Sequence, residues 1–109
     1  MDLRLATSQL IIAFENTREF HELREANTKI QKNSDYAKKL SDLKKTQNML
    51  YKKQLSELEE GRILQELNAT LATLSNIPEF LRYFNAAEKF SMLIAQVIED
   101  INKNVDSRL

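Results

Sequence analysis

His21 is the only histidine in the sequence, and it is the side chain best suited to metal binding or to proton transfer near neutral pH. Glu19, Glu22 and Glu25 lie close to it, but carboxylates at this spacing are typical of a solvated helix face. With no cysteine and one glycine, the chain lacks thiolate ligands and a Gly-rich phosphate loop. The sequence therefore predicts no catalytic residues, no metal site and no cofactor, and we expect a protein that is not an enzyme.

Lysines are concentrated in the middle of the chain. Residues 33–54 contain six lysines and two aspartates, a net charge of +4, whereas residues 55–109 contain nine acids and five bases, a net charge of −4. Lys38, Lys45 and Lys52 follow a heptad spacing. They form either a solvated back face or a basic stripe that binds an acidic protein or nucleic acid. The formal net charge of zero makes nucleic acid the less favoured partner.

The composition predicts an all-α fold. One glycine and one proline in 109 residues are too few for the many turns of a β-rich protein. Apolar residues recur every three or four positions, which is typical of amphipathic helices. We predict a single self-associating helical domain over residues 1–109, with five helices at residues 2–15, 17–32, 35–60, 62–75 and 78–105.

The predicted helix boundaries rest on capping residues. Asn16 and Thr17 introduce the second helix, and Ser34 is expected to cap the third. Asn76 is expected to cap the last helix, with Pro78 in its first turn, where the missing N–H is not needed.

Gly61 is predicted to end the third helix. A straight helix through it would place Ile63 and Leu67 on the side opposite to Leu40 and Leu58, and one partner could not cover both faces. A glycine that closes a helix in the left-handed conformation would resolve this conflict. The sequence therefore predicts an antiparallel helical hairpin that turns at Gly61.

The first and last helices carry apolar side chains on a second side, away from their main apolar face. In the last helix, the main face is a long apolar stripe from Phe80 to Val105, which is predicted to face the core. Helices that are apolar on two sides are covered by two partners, and the second is expected to be another copy of the chain. The predicted oligomer interface contains Leu5, Ile12, Leu81, Met92 and Ala95.

The chain is expected to be cytoplasmic. Its first residues lack the charged and apolar regions of a signal peptide, and no apolar run approaches the length of about 20 residues that spans a bilayer. We expect no membrane insertion, and partners that are the chain itself and another cytoplasmic protein.

Two runs of sequence carry a family resemblance. They are Asn-Ser-Asp-Tyr-Ala at residues 33–37 and Ala-Glu-Lys-Phe-Ser-Met-Leu-Ile at residues 87–94. The predicted order of helices is two short helices, a long third helix, a fourth helix and a last one. With this order, the two runs make the chain resemble the bacterial YlbF/YmcA family, in particular its short YheA-like members. The resemblance implies a helical, self-associating protein without enzyme activity, linked to competence, sporulation, biofilm formation or RNA processing. It supplies no catalytic residues.

We therefore expect a regulatory or adaptor protein that acts through helix-mediated protein–protein contact. The alternative is a nucleic-acid-binding protein that uses the lysine face of the third helix.

Overall fold

The computed structural model describes residues 2–52 and 54–109. This part of the chain is all-α, as predicted, and contains no strand. Its helices are α1 (Leu3–Glu15), α2 (Arg18–Gln31), α3 (Ser34–Met49), α4 (Glu57–Leu74) and α5 (Pro78–Arg108).

Side chains cap the starts of α2 and α3. The Thr17 Oγ1 accepts a hydrogen bond from the Phe20 N–H at 3.2 Å. The Asn33 Oδ1 accepts from the N–H groups of Asp35 at 3.0 Å and Tyr36 at 3.2 Å. Ser34, which was predicted to cap α3, is instead its first helical residue. An asparagine with non-helical backbone angles can reach two free amides of the first turn, so Asn33 takes the role.

The start of α5 differs from the prediction in the same way. Its N-cap is Ile77, which makes no side-chain cap, and Pro78 is the first helical residue. The prediction that Asn76 caps this helix is wrong, and the placement of Pro78 is right. Proline fixes the backbone of the first turn and removes one amide that would otherwise need a partner, so α5 begins without a side-chain cap.

The break between α3 and α4 does not occur at Gly61. The helix α3 ends at Met49, and α4 begins at Glu57, where the Ser56 Oγ accepts from the Glu59 N–H at 3.1 Å. Gly61 lies inside α4 and does not adopt a positive φ. A glycine inside a helix costs only about 1 kcal/mol relative to alanine. The Ser56 cap and the burial of apolar α4 side chains outweigh that cost.

The main core joins α2, α3, α4 and α5 around Phe80. The Phe80 side chain is fully buried, with its ring centroid 5.4 Å from that of Tyr36 at an edge-to-face angle of 66°. Edge-to-face pairs of this kind are favourable contacts between aromatic rings. The buried cluster consists of Ile30, Leu40, Leu43, Leu67, Leu74 and Phe80.

A second aromatic cluster lies around Phe90. The Phe90 ring contacts Phe14 of α1 and Phe20 of α2, with centroid distances of 5.8 and 5.5 Å. Farther along α2, Glu25 pairs with Arg82 at 3.4 Å. The earlier α2 residue meets the later α5 residue, so these two helices run antiparallel.

The helices α3 and α4 pack against each other through Leu43, Leu67 and Leu74 of the main core. Leu58, which was predicted to extend the buried line of α3, belongs to α4 and is 76% exposed. The predicted antiparallel hairpin stays a prediction, and the prediction that it turns at Gly61 is wrong, because Gly61 lies inside α4.

The molecule is more extended than a globule of its length. Its radius of gyration is 17.1 Å, whereas a compact domain of about 100 residues has a value of about 13 Å. The 31 residues of α5 span about 46 Å at 1.5 Å per residue. Only the first part of α5 therefore meets the other helices. The prediction that Ile98, Ile101 and Val105 face the core is wrong, because α5 extends beyond the start of α2 and leaves them exposed.

Candidate interaction surfaces

The first surface is α1, which has no buried residue. Its sequence contains no charged residue between Arg4 and Glu15, and apolar side chains occur on two sides of the helix. Leu5 is 54% exposed and Ile12 is 58% exposed, so both predicted interface residues of α1 lie at the surface. A largely apolar helix without a buried side chain indicates a surface that another element covers.

The last turn of α1 holds this helix to the rest of the chain. Phe14 packs edge-to-face on Phe90, at an interplanar angle of 79°. The Glu15 carboxylate lies 3.6 Å from the Arg24 guanidinium, and the Arg24 guanidinium lies 4.8 Å from the centre of the Phe20 ring. These contacts hold the end of α1, and every residue from Thr7 to Ala13 is exposed.

The second surface is the α5 tail, defined here as residues 98–108. Every residue of the tail is exposed. Ile98, Ile101 and Val105 share one face at 52%, 48% and 52% exposure. They continue the apolar stripe of α5 that Phe80 begins in the core, and their spacing of three and four residues keeps them in line.

The third surface is a groove between α2 and α5. Leu81 lines one hollow of this groove and Met92 lines the next, while Glu22 and Lys89 line both. Leu81 is 46% exposed and Met92 is 62% exposed. The predicted interface residue Ala95 is also exposed on α5. The structure thus brings Leu81 and Met92 to one groove, but α1 contributes no residue to its two hollows.

The predicted basic face is shorter than expected. Lys38 and Lys45 are exposed on α3, but Lys52 follows the end of that helix at Met49 and does not continue the heptad line. The physical reason is that the backbone turns after Met49, where the N–H groups of residues 50–52 bond to carbonyls three residues back.

Other lysines of α3 already have partners. The Lys39 Nζ lies 3.1 Å from the Asp35 carboxylate, and the Lys44 Nζ lies 6.0 Å from the centre of the Tyr83 ring. A distance of 6.0 Å is the outer limit of a cation–π contact. Lys38 and Lys45, the two residues of the predicted face that lie on α3, are a small footprint for binding phosphates.

None of the polar and charged side chains among the described residues lies in the core. Across residues 2–52 and 54–109 no polar or charged residue is buried, and no three histidine, aspartate or glutamate side chains are grouped as a metal site would require. His21 is exposed on α2. No helix in this part of the chain combines the length and apolar character needed to cross a membrane.

One exposed region was not singled out from the sequence. Tyr51 is 81% exposed and Met49 is 42% exposed, at the connection between α3 and α4. The signal for this connection is the pattern Ser56-Glu57-Leu58-Glu59, a serine followed three residues later by a glutamate, which is typical of a helix start.

Comparison with known proteins identifies one family. Residues 5–106 match the family model described as control of competence regulator ComK, YlbF/YmcA. Comparisons with curated proteins and with solved structures gave no match. The match covers all five helices, including α1 from Leu5 onward and most of the α5 tail.

Proposed function

Because the chain belongs to the YlbF/YmcA family, we propose that it is a non-enzymatic regulatory adaptor of the cytoplasm that acts through contacts between helices. The description of the family names control of the competence regulator ComK. The resemblance described from the sequence also implies a link to sporulation, biofilm formation or RNA processing. The single observation that carries the proposal is that α1 and the α5 tail present apolar side chains to solvent.

The distribution of polar groups supports a binding role rather than a catalytic one. Acid–base catalysis uses groups whose ionisation is shifted by burial or by close charges, and such groups lie in clefts. The core of the described residues is apolar throughout. The ion pairs that we observe, such as Lys103 with Glu99 at 3.1 Å, are at least two-fifths exposed.

Self-association is the first contact that we propose. Leu5, Ile12, Leu81 and Met92 are each 46–62% exposed, and Ala95 lies beside Met92. Covering the exposed half of each large side chain gains about 0.7–1.5 kcal/mol. Four such residues in each of two copies gain about 6–12 kcal/mol against an association cost of about 4–15 kcal/mol. These residues support a dimer but need further apolar contacts to secure it.

A second protein is the other proposed partner. The α2–α5 groove holds Leu81 in one hollow and Met92 in the next, and Glu22 and Lys89 line both hollows. Protein interfaces combine apolar contacts with polar and charged groups in this way. We propose that the partner belongs to the machinery that controls competence.

The test is affinity capture of the chain from the cytoplasm of its own organism, with and without nuclease. We expect one protein partner to be retained after nuclease treatment and to be reduced by Leu81→Glu/Met92→Glu. The control is Lys38→Glu/Lys45→Glu, which should retain the partner. Loss of all captured material after nuclease would contradict the adaptor and favour the lysine face of α3 as a nucleic-acid site.

A further inference from the structure

Met92 places an exposed thioether in the α2–α5 groove. Its side chain is 62% exposed and lines one of the two hollows. Met49 is 42% exposed at the end of α3, outside both hollows, and Met1 lies outside the described residues. The chain has three methionines and no cysteine. Methionine is therefore its only sulfur-containing residue, and methionine sulfoxide is an oxidation product that dedicated reductases reverse.

We propose that Met92 is a reversible oxidation site, and that its conversion to the sulfoxide by hydrogen peroxide weakens the association between two copies of the chain. The proposal rests on the self-association proposed above, in which Leu81 and Met92 lie in the contact, and it adds the regulation of that contact.

The reaction consumes one molecule of hydrogen peroxide for each methionine. The Met92 sulfur donates an electron pair to one peroxide oxygen, and the O–O bond breaks as the S–O bond forms. The sulfur is oxidised by two electrons, and the second oxygen leaves with both protons as water. A methionine sulfoxide reductase returns the thioether, with one enzyme for each of the two sulfoxide epimers.

The sulfoxide changes what the contact must bury. The Met92 thioether is a soft apolar group that another protein surface covers at little cost. A sulfoxide oxygen is a hydrogen-bond acceptor, and covering it removes the water that it binds in the open groove. A twofold dimer contains the residue twice, so one oxidised methionine per chain weakens the contact at two places.

The same oxidation leaves the fold intact. Met92 is not a member of the buried cluster around Phe80, and its exposed side chain already lies in water. A sulfoxide disrupts a protein when the methionine is part of the core. The effect of oxidation is therefore confined to the surface that a second copy covers.

Access of peroxide to Met92 depends on whether a second copy covers the groove. In the single chain the side chain is open to solvent, whereas a dimer through this residue shields it. Oxidation therefore proceeds from the single chain and withdraws chains from the dimer by mass action. The rate at Met92 should fall as the protein concentration rises, whereas the rate at Met49 should not, because Met49 lies outside the groove.

The experiment treats the full-length chain with hydrogen peroxide, removes the peroxide, and measures the dissociation constant of the dimer by light scattering over a dilution series. Peptide mass spectrometry locates the added oxygen atoms. We expect the dissociation constant to rise about tenfold or more with unchanged helix content, and to recover after treatment with the two sulfoxide reductases. The control Met49→Leu should show the same rise. Met92→Leu, whatever its affinity before treatment, should change by less than about twofold.

Three results would overturn the oxidation site. The first is a fully oxidised wild type whose dissociation constant changes by less than about twofold, in which case self-association stands and only its regulation fails. The second is a response of Met92→Leu equal to that of the wild type. The third is an oxidation rate at Met92 that stays constant relative to Met49 as the dimer forms, which would place Met92 outside the contact. A wild type that is monomeric before treatment would overturn the proposed self-association itself, and its regulation with it.

Discussion

The ring of Phe14 lies 5.8 Å from the ring of Phe90, centroid to centroid, with the two planes at 79°. This contact joins the end of α1 to the middle of α5. No residue of α1 is buried, and every residue of the α5 tail is exposed. An all-α chain with a small core therefore leaves apolar side chains of both helices at the surface.

Phe80 is predicted to be the main determinant of folding stability. Its side chain is fully buried and contacts the ring of Tyr36. Replacing a buried phenylalanine by alanine removes contacts from every neighbour and leaves a cavity. We expect Phe80→Ala to lower the free energy of unfolding by about 3–5 kcal/mol in urea denaturation. Tyr51→Ala is the control, because its side chain is 81% exposed, and a change above about 0.5 kcal/mol there would contradict this assignment of the core.

The identity of the α3 cap can be tested by a pair of alanine variants. The Asn33 side chain accepts two backbone hydrogen bonds of the first turn. We expect Asn33→Ala to cost about 0.5–2 kcal/mol of unfolding free energy, measured by thermal denaturation at fixed protein concentration. Ser34→Ala should change the stability by less than about 0.5 kcal/mol. A larger loss for Ser34→Ala than for Asn33→Ala would restore the capping residue expected from the sequence.

Gly61 supplies a test of the helix boundary. It lies inside α4 without a positive φ, and a Cβ added there meets no atom within 4 Å. We expect Gly61→Ala to raise the free energy of unfolding by about 0.5–1 kcal/mol, because alanine loses less backbone entropy in a helix. The matched control is Ala72→Gly, at an exposed position of the same helix, which should lower it by a similar amount. Destabilisation by Gly61→Ala would indicate a left-handed helix end at Gly61.

Nucleic-acid binding is predicted to be weak. Lys38 and Lys45 are exposed on α3, whereas Lys39 pairs with Asp35 at 3.1 Å. A few phosphate contacts fall steeply in strength with salt. In a filter-binding titration at physiological salt we expect RNA affinities no tighter than about 10⁻⁴–10⁻⁶ M, the range of non-specific binding. Submicromolar affinity that is lost in Lys38→Glu/Lys45→Glu would contradict this expectation.

The periodicity of apolar residues predicted the helices and most of the core. Leu40 and Phe80 were placed on apolar faces that need cover, and both are buried. Ala86, which is also buried, was not assigned to the core, because it lies about 100° around the helix from Ala87, the alanine that falls on the apolar stripe. Small residues at the edge of a stripe are buried or exposed according to how closely the facing helix approaches, and the sequence does not state that distance.

The helix break and the extent of α5 were harder to predict. A single glycine carries a helix penalty of only about 1 kcal/mol, so Gly61 was a weak signal, and the Ser56 cap with Glu59 was the stronger one. Along α5 the apolar stripe continues through Ile98 and Val105, although α2 no longer covers it. Periodicity shows that a face needs cover but does not show whether the same chain supplies it. In the sequence, Leu5, Ile12, Leu81 and Met92 lie off the main apolar face of their helices, and they were selected as interface residues on that basis. All four are exposed.

The central claim is that copies of this chain associate through the exposed apolar faces of their helices. The most direct measurement is the mass in solution by light scattering at micromolar concentration, for the wild type and for Leu5→Glu/Ile12→Glu. We predict a wild-type mass of at least twice 12.7 kDa and a variant that is monomeric with unchanged helix content by circular dichroism, since Leu5 and Ile12 contribute nothing to the core. The variant Leu81→Glu/Met92→Glu, measured in parallel, shows whether the α2–α5 groove shares in the contact. A wild-type mass of 12.7 kDa would contradict the account.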